Sequence, residues 1–439
     1  MNSLLERASA AAQATSTVEL RGNVRDVTGL IIEGSGPLIP VGSHVTVHSG
    51  ALKIAAQVVG FRTDRVLLMP YGEPQGISPG ALITSDGAQA NVLVSDRLLG
   101  RVINAMGEPL DGMPLAFGGQ AVPLYRTPPN PILRTRIQEC FDTGVRAINS
   151  MLTVGVGQRV GIMAGSGVGK STLLGMIAKH SSSDINVIAL VGERGREVRE
   201  FIERDLGPDG MKRSIVVVAT GNESALLRIR AALLATAIAE HYRDCGKKVV
   251  LMVDSVTRFC MAQREIGLAV GEPPSTRGYT PSVFSVLPKL LERAGNGEGQ
   301  GSITGLYTVL VDGDDMNEPI ADATRGILDG HIVLSRKLAS KGHFPAIEIL
   351  DSISRVMSDI TPPEVQEAAR QAREIIATYR ETEDLISIGA YKAGMNPKID
   401  RSVQLIDALN KHLKQIPSEK SELITSLKAL NQLILRDKA

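Results

Sequence analysis

The segment AGSGVGKST, residues 164–172, constrains the fold more than any other part of the chain. It lies between two apolar runs, RVGIM and LLGMIA. A strand, a Gly-rich turn and a helix in this order suit phosphate, because the glycines let backbone N–H groups face an anion and the helix N-terminus is partially positive. Ala164 replaces the first Gly of the usual P-loop pattern, whereas the terminal Lys and hydroxyl residues are intact. The segment therefore predicts a nucleotide-phosphate site.

Two side chains of this loop have specific predicted roles. Lys170 can reach the β- and γ-phosphates of ATP, and the hydroxyl of Ser171 can bind Mg²⁺. The loop and the first turn of the helix are expected to surround the phosphates. These cofactor-binding residues are Gly165, Ser166, Gly167, Val168, Gly169, Lys170, Ser171 and Thr172.

Apolar runs alternate with helical segments from about residue 145 to residue 355. The runs NVIALV, SIVVVAT and KVVLMVD each precede a segment of helical character. This alternation is typical of an α/β domain in which helices cover both faces of a mostly parallel sheet.

Two acidic residues end strands of the predicted sheet. Asp254 ends KVVLMVD, and we expect it to hold Mg²⁺ through water at the carboxyl edge of the sheet. Glu193 ends NVIALVGE, and we predict that it orients the attacking water from a strand next to the P-loop strand. The charged residues that follow it predict a network of ion pairs on a helix surface, and membership of that network is the alternative role for Glu193. A guanidinium must also stabilise the transition state, but the pattern alone does not choose among the arginines.

The remaining regions differ in character. Residues 1–16 are Ala-rich and predict either a short helix or a frayed tail. Residues 17–88 contain short alternating segments separated by turns, which predict a small β-barrel or sandwich. The catalytic domain is predicted over residues 89–360, beginning with a connector. Residues 361–439 have helical periodicity and predict a helical domain.

Composition narrows the class of protein. The net charge is +1 and aromatic residues make up 3% of the chain, which argues against a nucleic-acid surface. The three cysteines are scattered and form no C-x-x-C pair, as expected in a reducing cytosol. We see no secretion signal and no apolar run long enough to span a bilayer, so any membrane association is expected to be peripheral.

Several long phrases in the chain are distinctive. They are LLMPYGEPQGISPG (67–80), GERGREVREFIERDLG (192–207), DSVTRFCMAQREIGLAVGEPP (254–274), GYTPSVFSVLPKLLERAG (278–295), DGDDMNEPIAD (312–322) and ILDGHIVLSRKLA (327–339). These phrases resemble the catalytic subunits of the rotary ATPase superfamily, and within it the flagellum-specific protein-export ATPases. The resemblance covers nearly the whole chain and implies a RecA-like core between the barrel and the C-terminal helices.

The resemblance implies roles for five residues. Glu193 activates water, and Arg194 contacts phosphate. Arg355, in the segment SISR, acts as an arginine finger in the site of the neighbouring subunit. Phe344 stacks on adenine, and Tyr391 is a weaker candidate for the opposite wall of that pocket. A finger supplied by a neighbour requires an oligomer.

The resemblance also implies partners. The family forms homohexamers, with a coiled-coil protein resembling a rotor stalk in the pore. A regulatory dimer resembling the peripheral stalk binds the N-terminal segment, which favours a docking helix over residues 1–16. Export substrates and chaperones dock at the C-terminal domain. The ring lies in the cytoplasm below a membrane export gate.

Three alternatives remain open. The ATPase of the virulence injectisome has the same chemistry, although LLMPYGEPQGISPG, GYTPSVF and AYKAGMNPKID favour the flagellar family. An RNA translocase resembling the terminator Rho would need a basic face with stacking aromatics. A catalytically inactive ring subunit is disfavoured by the complete set Lys170, Glu193, Asp254 and Arg355. The chain also lacks the acidic DELSEED-type segment of the ATP-synthase β subunit.

Overall fold

The structure is a computed structural model that describes residues 19–85, 90–114, 118–311 and 315–435. The helix predicted over residues 1–16 lies outside the described residues. In the part of the chain that the structure describes, no helix is both long enough and apolar enough to cross a membrane.

The N-terminal region is a closed antiparallel barrel, so the barrel prediction is confirmed over the sandwich. Its strands are β1 Leu20–Thr28, β2 Ile31–Gly34, β3 His44–Ser49, β4 Leu52–Arg62, β5 Arg65–Pro70 and β6 Leu82–Ser85. They are joined in the order β1-β2-β5-β4-β3-β6. Burial alternates along β3, where Val45 and Val47 face the interior with Ile32 and Leu68. The period of two in the sequence therefore fills the barrel with apolar side chains.

The connector after the barrel contains strands that its sequence did not reveal. Strands β7, Asn91–Val94, and β9, Gln120–Pro123, pair as a small antiparallel sheet. Strand β8, Val102–Asn104, lies between them in the chain and pairs with the edge of the central sheet. A second short pair consists of β10, Cys140–Phe141, and β11, Val154–Gly155.

Within the described residues, the central sheet has nine strands and is mostly parallel, as predicted. The strands after β11 are β12 Arg159–Ala164, β13 Ile185–Glu193, β14 Ser214–Thr220, β15 Lys248–Asp254, β16 Gly295–Asn296, β17 Ser302–Leu310, β18 Gly330–Leu334 and β19 Ile347–Ser354. The order is β19-β18-β12-β17-β15-β13-β14-β8, and β16 pairs with β17. Strands β16 and β19 run antiparallel to their neighbours, whereas the strands from β18 to β8 are parallel.

The prediction that the strand of Glu193 lies next to the P-loop strand is wrong. Strands β17 and β15 separate β12 from β13. The four strands are nearly uniform apolar runs buried on both faces. Their hydrophobic pattern therefore gives no information about which strand pairs with which.

Helices cover the sheet and form the C-terminal region. They are α1 Arg146–Met151, α2 Lys170–His180, α3 Gly195–Glu200, α4 Gly207–Met211, α5 Ala225–Asp244, α6 Val256–Val270, α7 Pro281–Leu291, α8 Pro319–Ile327, α9 Arg336–Ser340, α10 Met357–Ile360, α11 Pro363–Ser387, α12 Pro397–Leu413 and α13 Leu423–Leu435. A π-helical turn, Phe201–Leu206, links α3 to α4, and 3₁₀ turns occupy Asp96–Leu98 and Thr276–Gly278.

The C-terminal helices share a core with the central α/β domain. Leu409 of α12 and Leu430 and Ile434 of α13 are buried in the same cluster as Ile148 and Met151 of α1. The helical prediction for this region is confirmed. The exact domain boundaries stay a prediction.

Candidate active site

The P-loop connects the carboxyl end of β12 to the first turn of α2. Gly167 and Gly169 have φ of +78° and +92°, conformations that favour glycine. Val168 between them is buried in the core and anchors the loop, while Ser166 and Gly167 are exposed. Helix α2 begins at Lys170 and directs its first N–H groups toward this turn. The arrangement is a cradle for phosphate.

Lys170 contacts two of the predicted site residues, Asp254 and Glu193. Its Nζ donates hydrogen bonds to Asp254 Oδ1 at 2.5 Å and to Glu193 Oε1 at 3.2 Å. Burial alone would lower the pKa of Lys170, but the two carboxylates outweigh burial and raise it. The ammonium group therefore stays charged beside two acids.

Asp254 is held by a second donor that the sequence analysis missed. The carboxylate is 2% exposed at the end of β15. Thr308, on the adjacent strand β17, donates its hydroxyl to Asp254 Oδ1 at 2.7 Å. The available signal was a single threonine in the apolar run GLYTVLV. The hydroxyl of Thr308 reaches Asp254 only because β17 lies beside β15, and the sequence alone does not reveal that pairing.

Glu193 lies at the carboxyl end of β13, after a register shift at Gly192. Gly192 has a φ of +72°, and a Cβ there would lie 2.9 Å from the Cβ of Arg258. Burial, the nearby charge of Asp254 and a hydrogen bond with Glu197 together raise the pKa of Glu193 to about 7, against the opposing effect of Lys170. A carboxyl group with this pKa can exchange a proton near neutral pH.

Arg194 is not brought to this cluster. Its side chain is 85% exposed, and its Nη1 donates to Glu197 Oε1 at 3.3 Å. Further pairs, Arg196–Glu200 and Arg199–Glu203, continue along the helical segment. The ion-pair network predicted as the alternative is therefore present. The phosphate contact implied for Arg194 stays a prediction.

A cavity of about 780 Å³ adjoins the P-loop and the outer side of α2. Phe344 forms part of its lining, with 47% of its surface exposed and its ring 3.7 Å from a Cβ placed on Gly169. Ile416 and Pro417, from the loop after α12, also line the cavity, and Ile416 is 64% exposed. An aromatic ring beside an apolar residue suits a purine. The sequence analysis identified Phe344 but missed Ile416, because its loop is distant in the chain.

Tyr391 does not line this cavity. Its hydroxyl donates to Asp400 Oδ1 at 2.8 Å and accepts from the backbone N–H of Asn396 at 3.2 Å. Gly394 N–H donates to Asp400 as well. Tyr391 therefore stabilises the turn that leads into α12.

Arg355 follows β19 at the sheet edge opposite the P-loop. Strand β19 runs antiparallel to β18, and Ser354 pairs with Gly330 at the start of that strand. The guanidinium is exposed, and its Nη2 donates to the backbone carbonyl of Arg325 at 3.1 Å. The topology therefore separates Arg355 from the P-loop of its own chain.

The residues predicted to bind Mg²⁺ offer suitable ligands. Ser171 contributes a hydroxyl in the first turn of α2, and Asp254 contributes a carboxylate. Mg²⁺ prefers hard oxygen ligands and is usually held by one or two protein groups together with substrate phosphates. Within the described ranges, no three His, Cys, Asp or Glu side chains cluster as a metal site of their own. The donor set therefore fits a cation that arrives with a nucleotide.

Comparison with known proteins agrees with this geometry. Residues 144–354 match the model of the ATP synthase alpha/beta family, nucleotide-binding domain, and residues 361–432 match the T3SS EscN ATPase C-terminal domain. The flagellum-specific ATP synthase of Bacillus subtilis is 56% identical over 96% of this chain and 97% of its own length. The type 3 secretion system ATPase of Xanthomonas euvesicatoria is 47% identical over 94% of this chain and 93% of its own length.

Solved structures extend the agreement to the whole fold. The assembled ATPase EscN of the enteropathogenic E. coli type III secretion system is 43% identical and has a TM-score of 0.89, over 94% of this chain and all of that one. EscN in complex with its central stalk EscO has a TM-score of 0.87 at 43% identity, with the same coverage of both chains.

Fold and site together define a P-loop ATPase of the ATP synthase alpha/beta class. Within that class, the chain belongs to the family of flagellum-specific ATP synthases and type III secretion ATPases. The resemblance inferred from the sequence is confirmed.

Proposed function

We propose that this chain hydrolyses ATP to drive flagellar protein export. One observation supports the chemistry most strongly: the P-loop lysine contacts both strand-terminal acids, Asp254 and Glu193. Three groups thus meet at the carboxyl edge of the sheet: Lys170 to bind phosphate, Asp254 to bind the metal, and Glu193 with a pKa of about 7. These are the groups that phosphoryl transfer to water requires.

Each group has a distinct task. Lys170 and the backbone N–H groups of residues 165–171 hold the phosphates, and Phe344 packs on the base. Ser171 and Asp254 hold Mg²⁺, which neutralises charge on the phosphate oxygens when bound. Glu193 orients and polarises the attacking water. Arg355 supplies positive charge to the transition state, an effect worth roughly 10³–10⁵ in rate for arginine fingers.

The position of Arg355 supports an assembly of several subunits. Because this residue lies at the opposite sheet edge from its own P-loop, a finger role requires a neighbouring subunit. The solved structure of assembled EscN supports a homohexameric ring for this chain. The complex of EscN with its central stalk EscO supports a stalk as a partner of this chain. We propose that this stalk is a coiled coil in the pore of the ring.

Further partners follow from the same proposal. A regulatory dimer binds at the N-terminus, and export substrates with their chaperones dock at the C-terminal helices. The ring acts in the cytoplasm, peripherally at the membrane export gate. Opening and closing of each interface moves the C-terminal helices, since these share their core with α1.

Three flagellum-specific ATP synthases, at 48–56% identity, exceed the 46–47% of two type 3 secretion system ATPases, which supports the flagellar system, while other flagellar relatives are 43–47% identical. The chain is 56% identical to the Bacillus subtilis flagellum-specific ATP synthase and 47% identical to the Xanthomonas type 3 secretion system ATPase. The test is expression of this chain in a B. subtilis strain that lacks its own flagellum-specific ATPase. We expect swimming to be restored, whereas the Lys170→Ala variant should not restore it.

A second measurement tests the assembly independently of the cell. The steady-state ATPase rate per molecule should rise steeply with protein concentration and be lost in Arg355→Ala. A rate that is independent of concentration and of Arg355 would exclude sites completed across an interface. If swimming is not restored but the ATPase activity is normal, the ATPase proposal stands and the flagellar assignment fails. That result would favour the injectisome.

A further inference from the structure

Thr308 is a buried hydroxyl within an apolar strand. Strand β17 lies between β12, which carries the P-loop, and β15, which carries Asp254. The Thr308 side chain is fully buried, with its Oγ1 at 2.7 Å from Asp254 Oδ1 and at 3.3 Å from the carbonyl oxygen of Val253. A threonine has one hydroxyl proton, and the shorter contact leads to the charged acceptor.

The hydrogen bonds of Asp254 are asymmetric. The side chains of Lys170 and Thr308 both donate to Oδ1 of Asp254. In the described residues, no hydrogen bond ends on Oδ2. Two donors on one oxygen oppose rotation of the carboxylate and leave the other oxygen available for a metal-bound water.

The two donors differ in permanence. Lys170 is a flexible side chain whose ammonium group must also serve the phosphates. Thr308 is β-branched, stiff at χ1 and fixed on a central strand. Its hydrogen bond can persist while Lys170 is shared between the acids and a nucleotide.

We propose that Thr308 is a positioning residue whose hydroxyl holds the Asp254 carboxylate in the orientation that receives the metal during turnover. This inference rests on the proposed ATPase function and deepens it. Thr308 touches Asp254 and acts through it. A purely structural threonine would instead contribute packing by its methyl group, and the two roles can be separated.

The strand offers a matched control. Thr304 is also buried on β17, but its Oγ1 accepts from the backbone N–H of Gly157 at 3.0 Å, away from Asp254. Replacing either threonine with Val keeps shape and removes the hydroxyl. Thr308→Ser keeps the hydroxyl and removes the methyl group.

The experiment compares four full-length proteins: the wild type, Thr308→Val, Thr308→Ser and Thr304→Val. It measures kcat, the KM for ATP with Mg²⁺, and Mn²⁺ binding by EPR in the presence of a non-hydrolysable ATP analogue. For Thr308→Val we expect kcat to fall about tenfold and the Mn²⁺ dissociation constant to rise about tenfold. Each tenfold change is equivalent to about 1.4 kcal/mol. The KM for ATP should stay within about twofold of the wild-type value. Thr308→Ser should recover both values to within about threefold, and Thr304→Val should change neither.

Other outcomes overturn the proposal. Equal impairment of Thr308→Ser and Thr308→Val would assign the effect to packing, and normal Mn²⁺ binding by Thr308→Val would remove the positioning role. If Thr308→Val does not fold, Thr308→Ala provides the same comparison with Thr308→Ser. If the wild type hydrolyses no ATP, the proposed function fails, whereas the Mn²⁺ measurement still decides the role of Thr308.

Discussion

Arg355 and Lys170 lie at opposite edges of the central sheet. Lys170 follows β12 at the carboxyl edge, where Ala164 pairs with Leu334 of β18. Arg355 follows β19, which returns antiparallel and ends opposite Gly330. From Gly330 to Leu334 the strand advances roughly 13 Å at about 3.3 Å per residue. Within one chain, Arg355 therefore lies away from the P-loop of Lys170, and the proposed arginine finger would act in the site of a neighbouring subunit.

This separation predicts complementation between two inactive variants. Lys170→Ala should abolish turnover through its own site, and Arg355→Ala should abolish turnover through its neighbour's site. In mixed rings, an Arg355→Ala subunit can receive the finger of a Lys170→Ala subunit. We expect equal mixing to restore roughly a quarter of the wild-type rate, because roughly one interface in four is then complete.

The controls are each variant alone and a mixture of Lys170→Ala with the double variant Lys170→Ala/Arg355→Ala, all of which should stay inactive. Arg355→Ala should fold and bind ATP normally, since its guanidinium is exposed and donates to one backbone carbonyl. An inactive mixture of proteins that demonstrably exchange subunits would contradict a finger supplied by the neighbour.

The pKa of Glu193 predicts an acid limb in the activity. Burial raises this pKa to about 7, and the unprotonated carboxylate is the form that polarises water. As pH falls below about 7, the carboxylate is increasingly protonated, so log kcat/KM should decrease with a slope approaching one. Above about 7 the profile should level off. The measurement is kcat/KM between pH 5.5 and pH 8.5, since this ratio reports the free enzyme.

Glu193→Gln is the matched variant for that profile. Loss of the titrating group should reduce the rate by roughly 10²–10⁴ while leaving ATP binding in place. Its residual activity should lack the limb near pH 7, which separates titration of Glu193 from titration of the nucleotide. A limb of the same midpoint in the variant would assign it to another group.

The cavity beside the P-loop predicts different outcomes for two aromatic residues. Phe344 lines it, whereas Tyr391 is hydrogen bonded to Asp400 in a turn elsewhere. Phe344→Ala should weaken ATP binding by roughly 5- to 150-fold, the equivalent of about 1–3 kcal/mol for a lost base stack. Phe344→Tyr should bind nearly as wild type. The measurement is the dissociation constant of ATP by calorimetry.

Tyr391→Ala tests whether Tyr391 forms the opposite wall of the pocket. We expect its dissociation constant to equal that of the wild type, while Ile416→Ala weakens binding. If Tyr391→Ala weakened binding as strongly as Phe344→Ala, the adenine pocket would have to be completed by residues outside the cavity described above.

Local sequence predicted some parts of this molecule, and long-range packing decided the others. The P-loop, Lys170 and Ser171 are contiguous, so their spacing specifies their geometry. Asp254 and Glu193 were found because polar residues at the ends of apolar strands meet at one sheet edge. Thr308 and Ile416 were missed because their importance depends on which strand or loop lies beside them. Strand order was missed for the same reason.

His412 predicts how acid weakens the contact between the C-terminal helices and the core. Burial, and the charge of Arg146, lower the pKa of this histidine to about 4, and its Nε2 lies 3.1 Å from Ser150 Oγ on α1. The folded chain therefore keeps His412 neutral where the unfolded chain takes up a proton. The stability is present above the ordinary pKa near 6.5 and is lost as pH falls toward 4. Between pH 7 and pH 5, protonation linked to this single group should lower the free energy of unfolding by up to about 2 kcal/mol.

Urea unfolding at pH 7 and pH 5 measures this loss. The free energy of unfolding should fall less between the two pH values in His412→Gln than in the wild type. Equal losses would show that His412 does not couple acid to the stability of this interface.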